Sequence, residues 1–446
     1  MKSSAQSFPA LLLLLHAAAG GLCVLASLLV RTRPEILIHW GWLVRPLVIV
    51  GLLFLLAGIL LRRTSWVQIT APAALSCSAV LLATAAGEAA FRLAGYDFRR
   101  QEALWRRHPP FYRQPMVPTG KVYFRRNGPE QWTGAVVRTW LELSHRDPSP
   151  YASEQPITVS YDPFGFRNDI GLSDWEMAVA GDSFTELGYL RQEDLFTTLL
   201  GQRLGLRVRN LGVSYTGPLT QLSYLEEYGQ ASSLRHTVIV FFEGNDFADL
   251  SREYRALLNY EATGKRPTRP FRKQTSLLRA MGERLRTGRK PPGLGAPQID
   301  AVFASSAGPV PVTLGLVPDR REEITAFMLE GFNRFAADYA AFGKTNQVQI
   351  WLAYMPCKAR VLFDRLTMNK DAADQLRDWT PNDVPSLVAS LCARHGIGFV
   401  DLTPPLIEET IRTGELLFNA LYDTHLNARG SAVVAAELSN RLSAPP

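Results

Sequence analysis

The sequence predicts an α/β domain, a doubly wound parallel sheet, that follows an N-terminal transmembrane helical anchor. Two patterns predict it: three uncharged apolar runs fill most of the first ninety residues, and five short apolar runs alternate with helical patterns further on. The composition agrees, because 47% hydrophobic and 10% aromatic residues among 446 can bury a core, which excludes general disorder. Four cysteines are too few for a disulfide scaffold.

The anchor is predicted from the apolar runs 10–30, 46–61 and 66–87. The first has 21 residues, and at about 1.5 Å per residue such a helix spans the hydrocarbon core of a bilayer. The second is short for a span, but its flanking arginines can extend toward the headgroups. We therefore expect about three transmembrane helices within residues 1–90, rather than a cleaved signal peptide.

Charge does not set the orientation of this anchor. With the N-terminus inside, three basic residues fall on each side of the membrane: Lys2, Arg62 and Arg63 inside, and Arg31, Arg33 and Arg45 outside. The positive-inside rule is therefore undecided. An odd number of spans still places the large C-terminal part opposite the N-terminus.

A polar, aromatic-rich lead-in, 91–172, precedes the domain that we predict for residues 173–446. Buried strands are predicted where apolar runs occur, at 176–180, 206–211, 237–242, 348–355 and 398–402. Helical patterns lie between them, notably at 322–343 and 384–395. Because short apolar strands alternate with helices, we expect a parallel sheet covered by helices on both faces.

A strongly basic stretch, 252–290, interrupts this alternation. It contains twelve Lys or Arg and three Glu, a net charge of +9, so the rest of the chain carries −2 of the total of +7. With the Pro/Gly linker that follows, it forms a basic insertion at about 252–297. Three interpretations stay open: a mobile lid, a contact with the membrane surface, and a site for an acidic glycan or lipid. Nucleic acid is not expected as a partner, because no stacking pattern or recognition motif accompanies the charge.

Side chains that can carry chemistry follow the predicted strands. Ser183 comes directly after the first, in the sequence GDSF, where open α/β sheets place their ligands, although a simple helix cap is the alternative. The segment 210–217 follows the second strand, Asn245 follows the third, and Asp423 and His425 precede the last helix. Together they supply a nucleophile, oxyanion donors, and a base with its orienting acid.

Neither a metal nor a cofactor is expected. The seven histidines include no HExxH spacing, and no Walker sequence or GxGxxG turn follows a strand. Cys357 and Cys392 are interpreted as core thiols, and the sequence leaves open whether they pair. The oligomeric state is also open.

The order of four blocks, GDSF, NxGxxxxG, GND and DTHLN, resembles the SGNH hydrolases, also called GDSL-type esterases and lipases. The segment YDPFGFRN, 161–168, is similar to the one that precedes the serine in membrane-anchored bacterial members. The resemblance covers about residues 155–440 apart from the basic insertion, and it implies a flavodoxin-like sheet. One block alone would be a weak signal, whereas four in this order and spacing are specific.

The resemblance implies a role for each matching residue. Ser183 would be the nucleophile and its backbone N–H an oxyanion donor, Asn245 would give a second donor through its amide, and His425 would be the general base. Asp423 would hold the imidazole in the correct tautomer. Most relatives place this acid three residues before the histidine, where Tyr422 stands here.

The second block also departs from the family pattern. Relatives commonly have a glycine donor five residues after the asparagine, and Tyr215 occupies that place. We expect the backbone N–H of Tyr215 to be the third oxyanion donor, with Gly212 and Gly217 as flanking alternatives.

The expected function is that of a membrane-anchored SGNH-type serine esterase or acyl hydrolase that forms an acyl-enzyme on Ser183. Its substrate would be an ester, possible carriers being a cell-surface glycan or a lipid. Two alternatives stay open: an O-acyltransferase that passes an acetyl group to a cell-surface glycan, and a non-catalytic membrane scaffold that retains the fold. The anchor-first layout of the resembling members implies an integral protein of the cytoplasmic membrane with an extracytoplasmic catalytic domain.

Overall fold

The structure is a computed structural model that describes residues 86–87, 89–90, 108–266 and 297–443, apart from 114, 116, 121, 145, 170, 317–319, 378 and 382. The chain divides into two compact units, and Arg99–Lys273 with Leu285–Pro446 forms the one that contains almost all of these residues. The predicted spans 10–30, 46–61 and 66–87 lie outside the described residues, except for 86 and 87. Within the described ranges, none of the helices combines the length and apolar composition that a membrane crossing requires.

The described part of the chain contains twelve strands and eleven α-helices. The strands are, in chain order, β1 (Val117–Thr119), β2 (Tyr123–Arg125), β3 (Glu130–Gly134), β4 (Ile157–Tyr161), β5 (Met177–Gly181), β6 (Val208–Gly212), β7 (His236–Phe242), β8 (Ala301–Ser305), β9 (Gly308–Val312), β10 (Gln349–Met355), β11 (Leu366–Met368) and β12 (Gly398–Asp401). The helices are α1 (Val136–Leu143), α2 (Ser183–Glu186), α3 (Phe196–Leu204), α4 (Pro218–Tyr228), α5 (Asp246–Thr263), α6 (Ala326–Asn346), α7 (Lys358–Leu362), α8 (Lys370–Gln375), α9 (Val384–Arg394), α10 (Thr403–Thr413) and α11 (Ala428–Ser443).

Five of the strands form one parallel sheet in the order β12-β10-β7-β5-β6. Counted along the chain within this sheet, the order is 2-1-3-4-5, the flavodoxin-like form of a doubly wound fold. In the register, Ala180 of β5 lies between Leu211 of β6 and Ile239 of β7. Each strand lies within two residues of its predicted run, so the α/β part of the predicted fold class is confirmed.

Helices bury both faces of this sheet. Along β7, Val238, Val240 and Phe242 face one core while Ile239 and Phe241 face the other, because successive side chains of a strand point to opposite faces. Helices α3, α10 and α11 pack against the first face, and α4, α5, α6 and α9 pack against the second. All five β7 side chains are fully buried, which explains why the strand is a continuous apolar run in the sequence.

The lead-in contributes side chains to the cores on both faces of the sheet. Its strands form two antiparallel pairs, β1 with β2 and β3 with β4. Phe111, Val136 and Val159 are buried in the core of the first face, and Tyr123 and Phe166 in that of the second. The segment before β5 is therefore part of the packing around the sheet edge.

A second addition lies between β7 and β10. Helix α5 runs without a break from Asp246 to Thr263, so the predicted insertion, 252–297, begins inside a helix. Residues 267–296 of it lie outside the described residues. After them, β8, β9 and β11 form an antiparallel sheet that the sequence did not predict. The edge strand β9 has the sequence GPVPV. Its two prolines have no backbone N–H to donate, which an edge strand tolerates, and they interrupt the apolar run by which a strand is predicted.

Candidate active site

The serine of GDSF lies at the carboxyl end of β5 and starts the single-turn helix α2. Asp182 caps this helix, since its Oδ1 accepts the backbone N–H of Phe184 at 2.9 Å. The capping role therefore belongs to Asp182, and Ser183 remains partly exposed at the sheet edge. Strands β5 and β7 meet where the strand order reverses, which is where doubly wound folds bind ligands.

Three side chains form a continuous hydrogen-bonded chain at this edge. Nε2 of His425 lies 2.7 Å from Oγ of Ser183, and Nδ1 lies 2.6 Å from Oδ1 of Asp423. The same carboxylate oxygen accepts the backbone N–H of His425 at 2.7 Å. With Nδ1–H donating to the carboxylate, Nε2 is left to accept the serine proton. The structure thus places Asp423, and not Tyr422, against the imidazole.

The charges of the site make the imidazole a stronger base than a free histidine. Burial lowers the pKa of His425, but the Asp423 carboxylate and its hydrogen bond outweigh burial and raise that pKa above its ordinary value. Burial raises the pKa of Asp423, but the contacts with His425 and the charge of Lys358 bring it below its ordinary value. Asp423 is therefore ionised when His425 accepts a proton.

Two backbone N–H groups at this edge are available to a ligand. Those of Ser183 and Tyr215 donate to no other residue in the described part of the chain. Gly212, in contrast, donates to a side chain of β6 at 2.8 Å, and Gly217 donates to a carboxylate of α5 at 2.7 Å. Of the three candidates in the second block, only Tyr215, with φ of +70°, keeps its N–H for a ligand.

Asn245 follows β7 and precedes α5. Its Nδ2 donates one hydrogen to Asp249 at 3.1 Å, which orients the amide and leaves the second hydrogen of Nδ2 for another acceptor. Asp249 is in turn paired with Arg252. An amide oriented in this way can donate to an oxyanion.

Aromatic side chains, one of them from the lead-in, surround the imidazole. The ring centroids of Phe111 and Phe184 lie 5.5 and 4.6 Å from that of His425. The hydroxyl of Tyr112 lies 3.5 Å from Oδ2 of Asp423. These rings exclude water from one side of the imidazole, which strengthens its interaction with the carboxylate. No sequence pattern indicates a role for Phe111 or Tyr112, since the aromatic loop that contains them lies more than 300 residues before His425 in the chain.

A buried ion pair connects the segments of the site. Nε of Arg126 lies 2.6 Å from Oε1 of Glu186, at the end of α2. Oε2 of Glu186 accepts the backbone N–H of Ser214 at 2.6 Å and its hydroxyl at 2.8 Å. Arg126 also donates to three carbonyls of the turn 110–113. The pair therefore links the helix of the serine, the loop of Tyr215 and the aromatic turn. No motif in the sequence indicates either member of the pair.

Metal ligands and thiols are the remaining candidates for chemistry. The described residues contain no group of three His, Cys, Asp or Glu side chains that could hold a metal ion. Cys357 and Cys392 are both buried, as expected of core thiols, and Cys392 is a free thiol, so no disulfide joins them. The site therefore combines a serine hydroxyl, whose proton His425 can accept, with backbone and amide N–H groups that can stabilise negative charge.

No protein-family model matches the chain, and neither does any curated protein. Among solved structures, a protein assigned to the G-D-S-L family of lipolytic proteins, from Desulfitobacterium hafniense DCB-2, is 14% identical over 59% of this chain and 97% of its own, with a TM-score of 0.30. A variant of the acetyl xylan esterase Axe2 from Geobacillus stearothermophilus is 13% identical over 61% and 95%, with a TM-score of 0.32. Phospholipase A1 from Streptomyces albidoflavus NA297 is 12% identical over 60% and 100%, with a TM-score of 0.31. The names describe proteins that act on esters, but at these identities and TM-scores the likeness establishes neither a family nor an activity for this chain.

Proposed function

We propose that the chain is a serine hydrolase that cleaves esters through an acyl-enzyme on Ser183, with His425 as general base and Asp423 as its orienting acid. The observation that carries the proposal is the hydrogen-bonded chain from Ser183 Oγ through both imidazole nitrogens to Asp423, with distances of 2.7 and 2.6 Å. An adjacent base, itself held by an acid, is the arrangement that activates a serine hydroxyl.

In the first half of the proposed reaction, Oγ of Ser183 attacks the carbonyl carbon of the ester and its proton moves to Nε2 of His425. Negative charge develops on the carbonyl oxygen, where the N–H groups of Ser183 and Tyr215 and the amide of Asn245 would stabilise it. The bond to the alcohol oxygen then breaks, His425 gives that oxygen its proton, and the acyl group stays on Ser183.

In the second half, a water molecule gives a proton to His425 and attacks the acyl carbon, after which the acid leaves and Ser183 regains its proton. In an acyltransferase, a sugar hydroxyl would take the place of this water, and every step before it would be the same. An assay that offers a glycan acceptor beside water separates the two reactions: acylated glycan indicates transfer, and free acid alone indicates hydrolysis.

The experiment that tests the proposal is Ser183→Ala, assayed by release of p-nitrophenol from its acetate ester. We expect a loss of about 10³-fold or more, together with loss of labelling by a fluorophosphonate probe. Ser390→Ala is the matched control, because it removes an exposed hydroxyl on α9, and it should keep both signals. Unchanged turnover in Ser183→Ala would refute the nucleophile, and folded native protein that neither turns over nor labels would favour the non-catalytic scaffold.

The proposal includes membrane anchoring, with the catalytic domain outside the cytoplasm. The apolar runs 10–30, 46–61 and 66–87 support it, since each is uncharged and two of them are long enough to cross a bilayer. Anchored on that side, the site would reach esters carried by cell-surface glycans or lipids.

A further inference from the structure

A buried lysine that the proposed reaction does not use contacts the loop of His425. Lys358 begins α7, shortly after β10, and its side chain is 0% exposed. Its Nζ donates to three backbone carbonyls, those of Thr313 at 2.6 Å, Asn419 at 2.6 Å and Asp423 at 2.7 Å. Two of these carbonyls belong to the loop 419–425, which carries the acid and the base.

The three carbonyls match the three N–H donors of an ammonium group. A carbonyl can only accept, so a neutral amine, with two donors and a lone pair, would leave one buried carbonyl without a partner. In the described part of the chain, no carboxylate lies within ion-pairing distance of Lys358. The charged groups that face it at longer range are the carboxylates of Asp423 and Asp300, with His425 beyond Asp423.

The contacts of Lys358 join the loop 419–425 to two other segments. The N–H of Asn419 donates to the carbonyl of His425 at 2.9 Å, which closes the loop on itself. The N–H of Thr313 donates to the carbonyl of Ala420 at 2.8 Å, which ties the loop to the segment after β9. Lys358 donates both to that segment and to the loop. Because Lys358 itself lies shortly after β10, its ammonium fixes the backbone of Asp423 relative to the sheet.

Building on the proposed function, we propose that Lys358 is a positioning residue whose ammonium holds the backbone of Asp423 so that the carboxylate meets Nδ1 of His425. It acts through that backbone, since its buried side chain has no access to substrate. Burial lowers the pKa of Lys358 to about 7, although Asp423 and Asp300 act to raise it. The ammonium therefore begins to lose its proton near neutral pH, and activity should fall as the pH rises through this pKa.

The test is the pH profile of kcat and KM for p-nitrophenyl acetate in the native protein, Lys358→Met and Lys358→Arg. Met has a similar length and no donors, so we expect kcat to fall between about 10- and 100-fold, as for a misplacement of about 1 Å, with KM nearly unchanged. Arg stays charged throughout the assay range, so the alkaline limb of the native profile should be absent from Lys358→Arg. Native kcat in Lys358→Met, or the same alkaline limb in Lys358→Arg, overturns the proposal. If Lys358→Met does not fold, the comparison of native protein with Lys358→Arg decides alone.

The matched control is Arg209→Met. It removes another buried cation, paired with Asp162 at 3.2 Å and with no described contact to the loop 419–425. This variant should keep the alkaline limb of the native protein. If the alkaline limb of the pH profile is absent from Arg209→Met as well, its absence is a general effect of changing a buried cation. That result would overturn the positioning role of Lys358.

A readout without turnover separates this inference from the proposed function. The proton shared by Nδ1 of His425 and Asp423 should give a far-downfield proton NMR signal in the native protein. We expect that signal to be lost or shifted in Lys358→Met and unchanged in Arg209→Met at the same pH. If Ser183→Ala keeps its ester cleavage, the proposed function fails while the NMR comparison still tests Lys358. An unchanged signal in Lys358→Met contradicts the positioning role whatever the activity.

Discussion

At the scale of single residues, a substitution of Asp423 tests the proposed site most directly. Asp423 lies two positions before His425, whereas the resembling family commonly has its acid three positions before the histidine. Its Oδ1 accepts both Nδ1–H and the backbone N–H of His425, which fixes the tautomer that leaves Nε2 as acceptor. We expect Asp423→Asn to lower kcat/KM for p-nitrophenyl acetate by up to about 10⁴-fold, because an amide can donate to Nδ1 and reverse the tautomer.

The same variant should change the acid limb of the pH profile. His425 must be neutral to accept the serine proton, and Asp423 raises its pKa, so we expect native activity to be lost as the pH falls through that raised value. Without the carboxylate the pKa of His425 is lower, and the residual activity of Asp423→Asn should persist to lower pH. Tyr422→Phe, at the position three before the histidine, is the control and should keep the native rate and acid limb. An acid limb that stays in place in Asp423→Asn would contradict the electrostatic role of Asp423.

At the scale of elements, the pair of Arg126 and Glu186 holds the segments of the site together. Their side chains are 5% and 0% exposed, so removal of one charge leaves the other buried without its partner. We expect Glu186→Gln to lower the free energy of unfolding, measured by urea denaturation, by about 3–5 kcal/mol. It should also lower kcat, because the backbone N–H of Ser214, next to Tyr215, loses its charged acceptor.

Two further variants separate the ion pair from a general effect of lost charge. Glu142→Gln breaks an exposed pair with Arg138 on α1 and should leave the unfolding transition almost unchanged. The double variant Arg126→Met with Glu186→Gln leaves no unpaired buried charge, and it should unfold at higher urea than Glu186→Gln alone. Native stability in Glu186→Gln would show that the hydrogen bonds, and not the charges, connect these elements.

How far each element could be predicted depends on how local its signal is. Most residues of the five parallel strands are buried, so each strand is a short, mainly apolar run whose limits the sequence shows within two residues. The motif order likewise predicted that Ser183, Asn245 and His425 follow the sheet or precede its last helix. The contact of Arg126 with Glu186 joins residues 60 positions apart, and Lys358 binds carbonyls, which every residue carries. Neither contact produces a periodic or local pattern in the sequence, so both can be recognised only in the folded structure.

At the scale of the whole molecule, the basic stretch 252–290 has a net charge of +9, whereas the rest of the chain has a net charge of −2. Its first basic residues make contacts within the folded domain. Arg252 pairs with Asp249, which also accepts a hydrogen bond from Asn245, and the guanidinium of Arg255 lies 5.5 Å from the ring centroid of Phe327. The charge that a lid, a membrane contact or an acidic ligand would use is therefore concentrated from residue 265 onward, where the exposed Lys265 and Arg266 follow the end of α5.

The same stretch allows a test of the orientation that we propose for the anchored protein. With three spans, the part after residue 90 lies opposite the N-terminus, and we expect it outside the cytoplasm. Trypsin added to spheroplasts should then cleave within 252–290 while the membrane is intact, since nine of its twelve Lys or Arg are not followed by proline. An antibody against the C-terminus would detect the shortened fragment. A cytoplasmic protein that survives in the same spheroplasts shows that they are sealed, and cleavage after detergent lysis shows that the sites are accessible.

Each outcome of this experiment bears on the substrate as well as on the orientation. Cleavage in sealed spheroplasts would put Ser183 on the side where cell-surface glycans and the outer lipid leaflet carry their esters. Cleavage only after lysis would put the domain in the cytoplasm and contradict the proposed orientation. It would also remove the cell-surface glycan as a substrate or acyl acceptor, because the bilayer would separate its hydroxyl groups from the acyl-enzyme, and a cytoplasmic ester would then be the substrate to seek.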